Sequence, residues 1–217
     1  MNPEGKRHHL VNRVERKKLM EKVKNETFAR RIFSFYRYVR IENPVAFRDE
    51  LYKAWIALDV LGRIYVANEG INAQMSVPEH HWDAFHKTFE NFSYLQNITV
   101  NPAVESGKYA FFKLDVRNRK RIVVDGLHEN IFEVSSIGQH LSPTEFHEMI
   151  GQEDVIVVDA RNNYECDIGH FEGALLPKSK TFAAVLPEIK EALKDKKDKK
   201  ILMYCTGGIR CEKASAY

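Results

Sequence analysis

Apolar positions along this chain change their period several times, and each change marks an element. The opening stretch is dominated by charge, and a basic helical arm is expected over residues 1–29. In RRIFSFYRYV, residues 30–39, aromatic and basic positions alternate with the period of two that a half-buried strand requires. Asn43 then precedes Pro44, a capping side chain followed by a ring that fits the first helical turn, and AFRDELYKAWIALDVLG carries the helix to Gly62. GRIYVANEGINAQMSV, residues 62–77, predicts two short strands around Asn68-Glu69-Gly70, where glycine permits positive φ. EHHWDAFHKTFENF follows Pro78 as an amphipathic helix, and ITVNPA and KYAFFKLDVRNRKRIVV supply the last strand material.

Strand, helix, strand pair, helix, strand is the order of a small α+β sandwich of ferredoxin-like (acylphosphatase-like) type, placed over residues 30–125. The irregular stretch 126–138 is expected to be a linker. Order resumes at LSPTEFHEMIG, where Ser142 caps a helix, Pro143 takes its first position and Glu145 completes a capping box. DVIVVDAR is a continuous apolar run of the kind that forms a buried parallel strand. The helix TFAAVLPEIKEALKDKKDKK and the strand ILMY then complete a β-α-β unit, so an α/β domain with a parallel sheet is expected over 139–217. Lysines between 194 and 200 are taken as the solvated end of that helix.

Composition changes this picture little. Of 217 residues, 44% are hydrophobic and 29% charged, an ordinary globular balance. No window approaches the 18 apolar residues of a membrane span, and the N-terminus lacks the apolar core of a signal peptide, so a cytoplasmic protein without a membrane partner is expected. Net charge is +3, but residues 1–31 hold ten Lys/Arg against four Glu. Such an arm suits nucleic acid as well as it suits a plain solvated helix. A second basic cluster, Lys113, Arg117, Arg119, Lys120 and Arg121, is a candidate for phosphate contacts, weighed equally against a solvated strand pair. Phe33, Phe35 and Tyr36 could stack on bases, although strand spacing favours the core for them.

Three cysteines, Cys166, Cys205 and Cys211, are too few for a disulfide framework and have no zinc spacing. Ligands of open parallel sheets bind beyond the carboxyl ends of strands. Asp159 and Arg161 stand there after VIVV, and Cys205 stands there after ILMY. Thr206-Gly207-Gly208-Ile209-Arg210 should then turn into a helix near Cys211, with backbone amides converging on the sulfur. Those donors, the helix dipole and Arg210 would all favour a thiolate. The bland alternative is a buried cysteine with glycines serving a turn, but such a turn has no need of an arginine. Cys211, on the first helical turn, is read as a structural bystander, with resolution of an oxidised Cys205 as the lesser alternative, and Cys166 is taken as incidental in a polar loop.

DARNNYECDIGHFEGALLP, residues 159–177, followed by YCTGGIRC, resembles the rhodanese superfamily. That resemblance implies that Cys205 is a nucleophile able to carry a persulfide. It also makes Asp159, Arg161 and Glu165 supporting polar residues and His170 a brace of the Gly-His turn. FSFYRYV, NPVAFRDELY, GRIYVANEGINAQMSVP and RIVVDGL, ahead of that domain, resemble the bacterial tRNA uridine hydroxylases. This second resemblance implies 5-hydroxyuridine formation at position 34, in the anticodon region of tRNA. Molecular oxygen would be the co-substrate and the rhodanese cysteine would be required. It further implies a rhodanese domain truncated at Tyr217, a segment inactive by itself.

Three other functions compete. A sulfurtransferase carrying a persulfide on Cys205 needs the same thiolate. A non-catalytic RNA- or protein-binding module would tolerate loss of the thiol. Dual-specificity phosphatases use C-x5-R, whereas Cys205 to Arg210 is C-x4-R, a shorter loop suited to a sulfur-sized group. No metal or organic cofactor is expected: there is no iron triad, flavin motif or nicotinamide fingerprint, and His8, His9, His80, His81 and His86 are read as solvent-facing.

Overall fold

Glycine at position 70 shows how closely the first sheet is built. Its φ is +145°, and a Cβ there would stand 2.0 Å from the carbonyl oxygen of Arg37, so no other residue fits. It lies in a computed structural model that describes residues 10, 12–103, 109–127 and 136–217. Residues 1–9 and 11 of the expected arm, with His8 and His9, and residues 128–135 of the expected linker lie outside the described residues. The chain divides into two units, Met1–Ile122 and Val123–Tyr217.

The first unit begins with α1 (Arg16–Lys24), continues through β1 (Arg30–Tyr38), α2 (Pro44–Ile56), β2 (Leu61–Ala67), β3 (Gly70–Pro78) and α3 (Trp82–Asn91), and ends with β4 (Asn101–Pro102) and β5 (Leu114–Asn118). The five strands form one sheet in the order β4-β1-β3-β2-β5, antiparallel except for the β2–β5 pair. This is the acylphosphatase-like α+β architecture. Phe33, Phe35, Ile64, Val66, Ile71, Ala73 and Met75 alternate along β1–β3 onto one face, where Phe47, Leu51, Trp55, Phe85 and Phe89 of α2 and α3 cover them. Trp55 is fully buried, and its Nε1 donates to Thr88 Oγ1 at 3.0 Å, tying the two helices together.

Several sequence expectations need correction here. The helix from Pro44 stops at Ile56, not Gly62, because Asp59 takes a positive φ of 51° and Leu61 and Gly62 already pair within β2. ITVNPA yields only the two-residue β4, since Pro102 has no N–H to extend a ladder. The basic arm is not wholly solvated: Leu19 and Val23 of α1 are buried.

In the second unit, α4 (Pro143–Met149) has the expected capping box of Ser142 and Glu145. It is followed by β6 (Val155–Asp159), the short α5 (Asn163–Cys166), α6 (Phe182–Leu193), β7 (Lys200–Tyr204) and α7 (Ile209–Ala216). β6 and β7 pair in parallel, and Leu175 bridges to Val158 on the other edge of β6. Val185, Leu186 and Ile189 of α6 pack with Val158 and Ala160. The lysines after Leu193 are not the end of that helix. α6 closes at Leu193, residues 194–199 turn, and Lys200 enters β7. Among the described residues no helix is long and apolar enough to cross a membrane.

One ion pair locks α7 in place. Lys213 is fully buried and its Nζ meets Asp125 Oδ2, while Asp125 Oδ1 accepts the amide of Leu127 at 3.0 Å. Removing one member of such a pair leaves a desolvated charge, at a cost of about 3–5 kcal/mol. Asp125→Ala is therefore expected to destabilise the second unit by about that amount in urea unfolding followed by circular dichroism. Tryptophan fluorescence, which reports only Trp55 and Trp82 of the first unit, serves as the internal reference.

Candidate active site

β7 delivers Cys205 to the sheet's carboxyl end, and the chain must then reverse into α7 within three residues. Gly208 makes that possible with φ +87°, as the residue preceding the first turn of α7. The turn brings its amide within 3.1 Å of Cys205 Sγ as a donor. The amides of Gly207, Arg210 and Cys211 point at the same sulfur, so the first turn of the helix closes a nest around it.

Charge at this sulfur is favoured from several sides. The largest contribution is a hydrogen bond from the Cys211 thiol; burial opposes it, and the loop amides add to it. Together they bring Cys205 down to about 5, while Cys211, donating to that thiolate and itself buried, is pushed up. The proton shared by the two sulfurs thus resides on Cys211. A thiolate with a thiol proton beside it combines a nucleophile with the nearest acid, and its amide nest can hold the charge of whatever group the sulfur carries. A cavity of about 320 Å³ along β7, lined in part by Phe146, Met203 and Tyr204, reaches both sulfurs.

Arg210 does not simply face the sulfur. Its guanidinium forks onto Glu165, with Nη1 donating to Oε2 at 2.6 Å and Nη2 to Oε1 at 2.7 Å. Thr206 Oγ1 accepts from Nη2 at 2.9 Å and donates to Glu165 Oε1 at 2.9 Å, closing a three-residue ring across the loop. Arg210 holds Glu165 down at about 2 against the opposing effect of burial. Burial works against the charge on Arg210, but Glu165 and the Cys205 thiolate more than offset it. The loop is clamped at both ends of its arc, by Thr206 and Arg210, onto one carboxylate from α5.

Below this lies a second polar layer. Asp159 is fully buried at the end of β6 and accepts from Arg161 (Nη2 to Oδ2, 2.7 Å) and from the Tyr204 hydroxyl (2.7 Å). Burial favours its neutral form, but these donors, the Arg161 amide and the Cys166 thiol keep it ionised. Arg161 also donates to the carbonyl of Gly169 at 2.6 Å, fixing the loop after α5. His170 Nδ1 lies 2.9 Å from the carbonyl oxygen of Cys166, bracing the same loop with its ring exposed.

The structure therefore gathers Cys205, Thr206, Gly207, Gly208, Arg210 and Glu165 in one place, with Ile209 as the first residue of α7. Asp159 and Arg161 underlie them, one layer down. Sequence reasoning missed two participants. Tyr204, raised to about 12 by burial and Asp159, donates to that carboxylate and accepts the Phe171 amide, and its position directly before Cys205 was the available signal. Cys166 is not incidental: it is buried in α5, and burial and Asp159 push its thiol up to about 11. Among the described residues no cluster of three or more His, Cys, Asp or Glu is arranged to hold a metal.

The basic cluster lies in the first unit, along and after β5. Arg117 pairs with Asp115 and Arg121 with Glu69, whereas Lys113, Arg119 and Lys120 are exposed. Phe33 and Phe35 are core residues, while Tyr36 lies half-buried on the opposite face of the sheet.

Residues 30–122 match the family described as the UPF0176 acylphosphatase-like domain, and residues 142–217 match the rhodanese-like domain. A tRNA uridine(34) hydroxylase of Leptospira interrogans is 48% identical over 214 residues, which is 99% of this chain and 58% of the relative. Proteins of the same name from Hamiltonella defensa and Cronobacter sakazakii are 46% and 44% identical over 96% of this chain, covering 59% and 60% of their own lengths. Over nearly its whole length the chain is similar to these tRNA uridine(34) hydroxylases. It spans about three-fifths of the length of these relatives. The site described above falls within the residues that match the rhodanese-like domain.

An ionised thiol keeps its reactivity at low pH. Iodoacetamide labelling of Cys205, followed by mass spectrometry of its peptide, is expected to be nearly constant from pH 8 to 6. It should fall through a midpoint near 5, instead of the roughly 8.5 of an ordinary cysteine. Cys211→Ala, which removes the largest stabilising donor, is expected to move that midpoint to higher pH.

Proposed function

We propose that this chain carries the cysteine site of an enzyme that hydroxylates uridine 34 of tRNA to 5-hydroxyuridine, with molecular oxygen as co-substrate. The observation that carries the proposal is the thiolate of Cys205 in its amide nest, within a chain whose relatives bear that activity in their names. In this proposal Cys205 is the reacting group, and Cys211 holds the proton next to it. Gly207, Gly208 and the first amides of α7 bind the negative charge on sulfur. Glu165, Thr206 and Arg210 are positioning residues that fix the loop through their ring of hydrogen bonds. Asp159, Arg161 and His170 hold the strand end and the neighbouring loop from below. The substrate partner is the anticodon region of tRNA, and the setting is the cytoplasm.

One observation also favours sulfur transfer as a second reading. The loop from Cys205 to Arg210 is C-x4-R, a length suited to a sulfur-sized group, and its donors would stabilise the terminal negative charge of a persulfide as readily as a thiolate. A persulfide on Cys205 would then be handed to an acceptor, leaving the thiolate in place.

Nucleoside mass spectrometry separates the two. Full-length protein incubated with unmodified tRNA is expected to form 5-hydroxyuridine only with oxygen present and to form none with Cys205→Ser. Glu165→Gln is expected to lower the rate at least about tenfold by releasing the Arg210 fork, while leaving tRNA affinity unchanged. Undiminished 5-hydroxyuridine with Cys205→Ser would sink the hydroxylase proposal. Thiolated nucleosides in its place would establish sulfur transfer.

A further inference from the structure

Helices α2 and α3 cover one face of the first unit's sheet, and α1, with Leu19 in a groove beside Arg63 and Asp115, borders the other. The other face is polar, aromatic and basic, and the strand register sets its residues in rows. Tyr36 of β1, Asn72 of β3, Tyr65 of β2 and Arg117 of β5 stand side by side across four strands. In the next row are Asn101, Ser34, Gln74, Arg63 and Asp115. Gln74, Arg63 and Arg117 are exposed, and both tyrosines are half-buried. Arg119 lies with its guanidinium 5.3 Å over the ring of Tyr65. At the end of the second row a groove of about 520 Å³ is lined by Arg16, Arg63, Phe111, Phe112 and Lys113.

We propose that this open sheet face binds single-stranded RNA. The choice of RNA as the polymer rests on the function proposed above; the geometry of the surface is independent of it. Two tyrosines in one row, two strands apart, put rings about 10 Å from each other, which suits two bases splayed out of a single strand. Gln74 stands beside them with an exposed amide of the kind that pairs with base edges, while Asn72, between them, is held by its Nδ2 bond to the Ile122 carbonyl at 3.1 Å. Arg63, Arg119 and Lys113 supply charge for the phosphates. A base entering over Tyr65 replaces the Arg119 guanidinium on the ring and leaves that charge beside its own phosphate. A protein partner would call for an apolar patch, and this face has amides, hydroxyls and guanidinium groups instead. A duplex would present only its phosphates and shallow groove to a flat sheet, leaving the rings without a base to stack on.

Fluorescence anisotropy on the 217-residue chain tests this with two labelled RNAs, a hairpin carrying a seven-nucleotide loop and a blunt duplex of the same stem. The hairpin is expected to bind more tightly than the duplex. Tyr36→Ala and Tyr65→Ala should each weaken hairpin binding about 5- to 100-fold, the range of one lost base stack. Tyr36→Phe and Tyr65→Phe, which keep the ring, should stay within about twofold, and circular dichroism confirms that each variant is folded. The proposal is overturned if wild type binds neither RNA, if duplex and hairpin bind equally, or if the alanine variants bind the hairpin like wild type. Cys205→Ser in the full-length enzyme keeps the two proposals apart. If it abolishes hydroxylation while Tyr65→Ala leaves hairpin binding intact, only the sheet-face proposal falls. If it still hydroxylates while Tyr65→Ala loses hairpin binding, only the functional proposal falls.

Discussion

A negative charge on one sulfur organises the second unit. Cys205 is half-buried, where a thiolate would ordinarily be disfavoured, and the loop answers with amides, a helix terminus and the thiol of Cys211. Each of these depends on a backbone path that Gly208, at φ +87°, makes possible. That path in turn depends on the Glu165 carboxylate, because Thr206 and Arg210 both anchor to it. Losing the charge on Glu165 would release both ends of the loop together. The reacting sulfur, the glycines and the salt bridge are therefore one structural unit, although they come from α5, β7 and α7.

Buried charge recurs beneath and behind the site, each time as a pair. Asp159 with Arg161 holds the end of β6, and Lys213 with Asp125 holds α7 against the segment that enters the unit. Apolar residues of the same volume would often be as stable or more so. What the pairs add is direction. Asp159 has a guanidinium, a hydroxyl and a thiol converging on it, and this sets the strand end, Tyr204 and α5 in fixed relation. A helix whose first turn must aim the Arg210 and Cys211 amides at one atom gains from a buried lysine that prevents it from rotating.

Much of this was legible in the chain because the relevant signals are local. Proline after asparagine, a Ser-x-x-Glu box and period-two alternation located α2, α4 and β1 from neighbours in sequence alone. The cysteine loop was legible for the same reason, since Cys-x-Gly-Gly-x-Arg implies amide donors whatever surrounds it. What failed was contact across the fold. Cys166 looked incidental because its partner, Asp159, lies in another element. Arg210 was placed at the sulfur, with which it does interact, but its fork onto Glu165, 45 residues away, had no local signal. Lys213 and Asp125, 88 residues apart, carry no local signal of their pairing. The overlong α2 is a different kind of miss: the apolar pattern runs on past Ile56, and only the positive φ at Asp59 breaks the helix.

The aromatics of RRIFSFYRY carry this distinction furthest. By composition Phe33, Phe35 and Tyr36 are one cluster, and strand spacing alone sends alternate members to opposite faces. Phe33 and Phe35 vanish into the core with Trp55, Phe85 and Phe89. Tyr36 emerges on the other side in register with Asn72 and Tyr65. A sheet covered on one face only would normally carry small polar or charged residues on the other, for solubility alone. Tyrosines are large for that role and cost more to leave half in water than threonine or lysine would. Their place in one row, with Gln74 beside them and arginines at the margin, is what an aromatic surface needs if it is to meet the flat faces of bases.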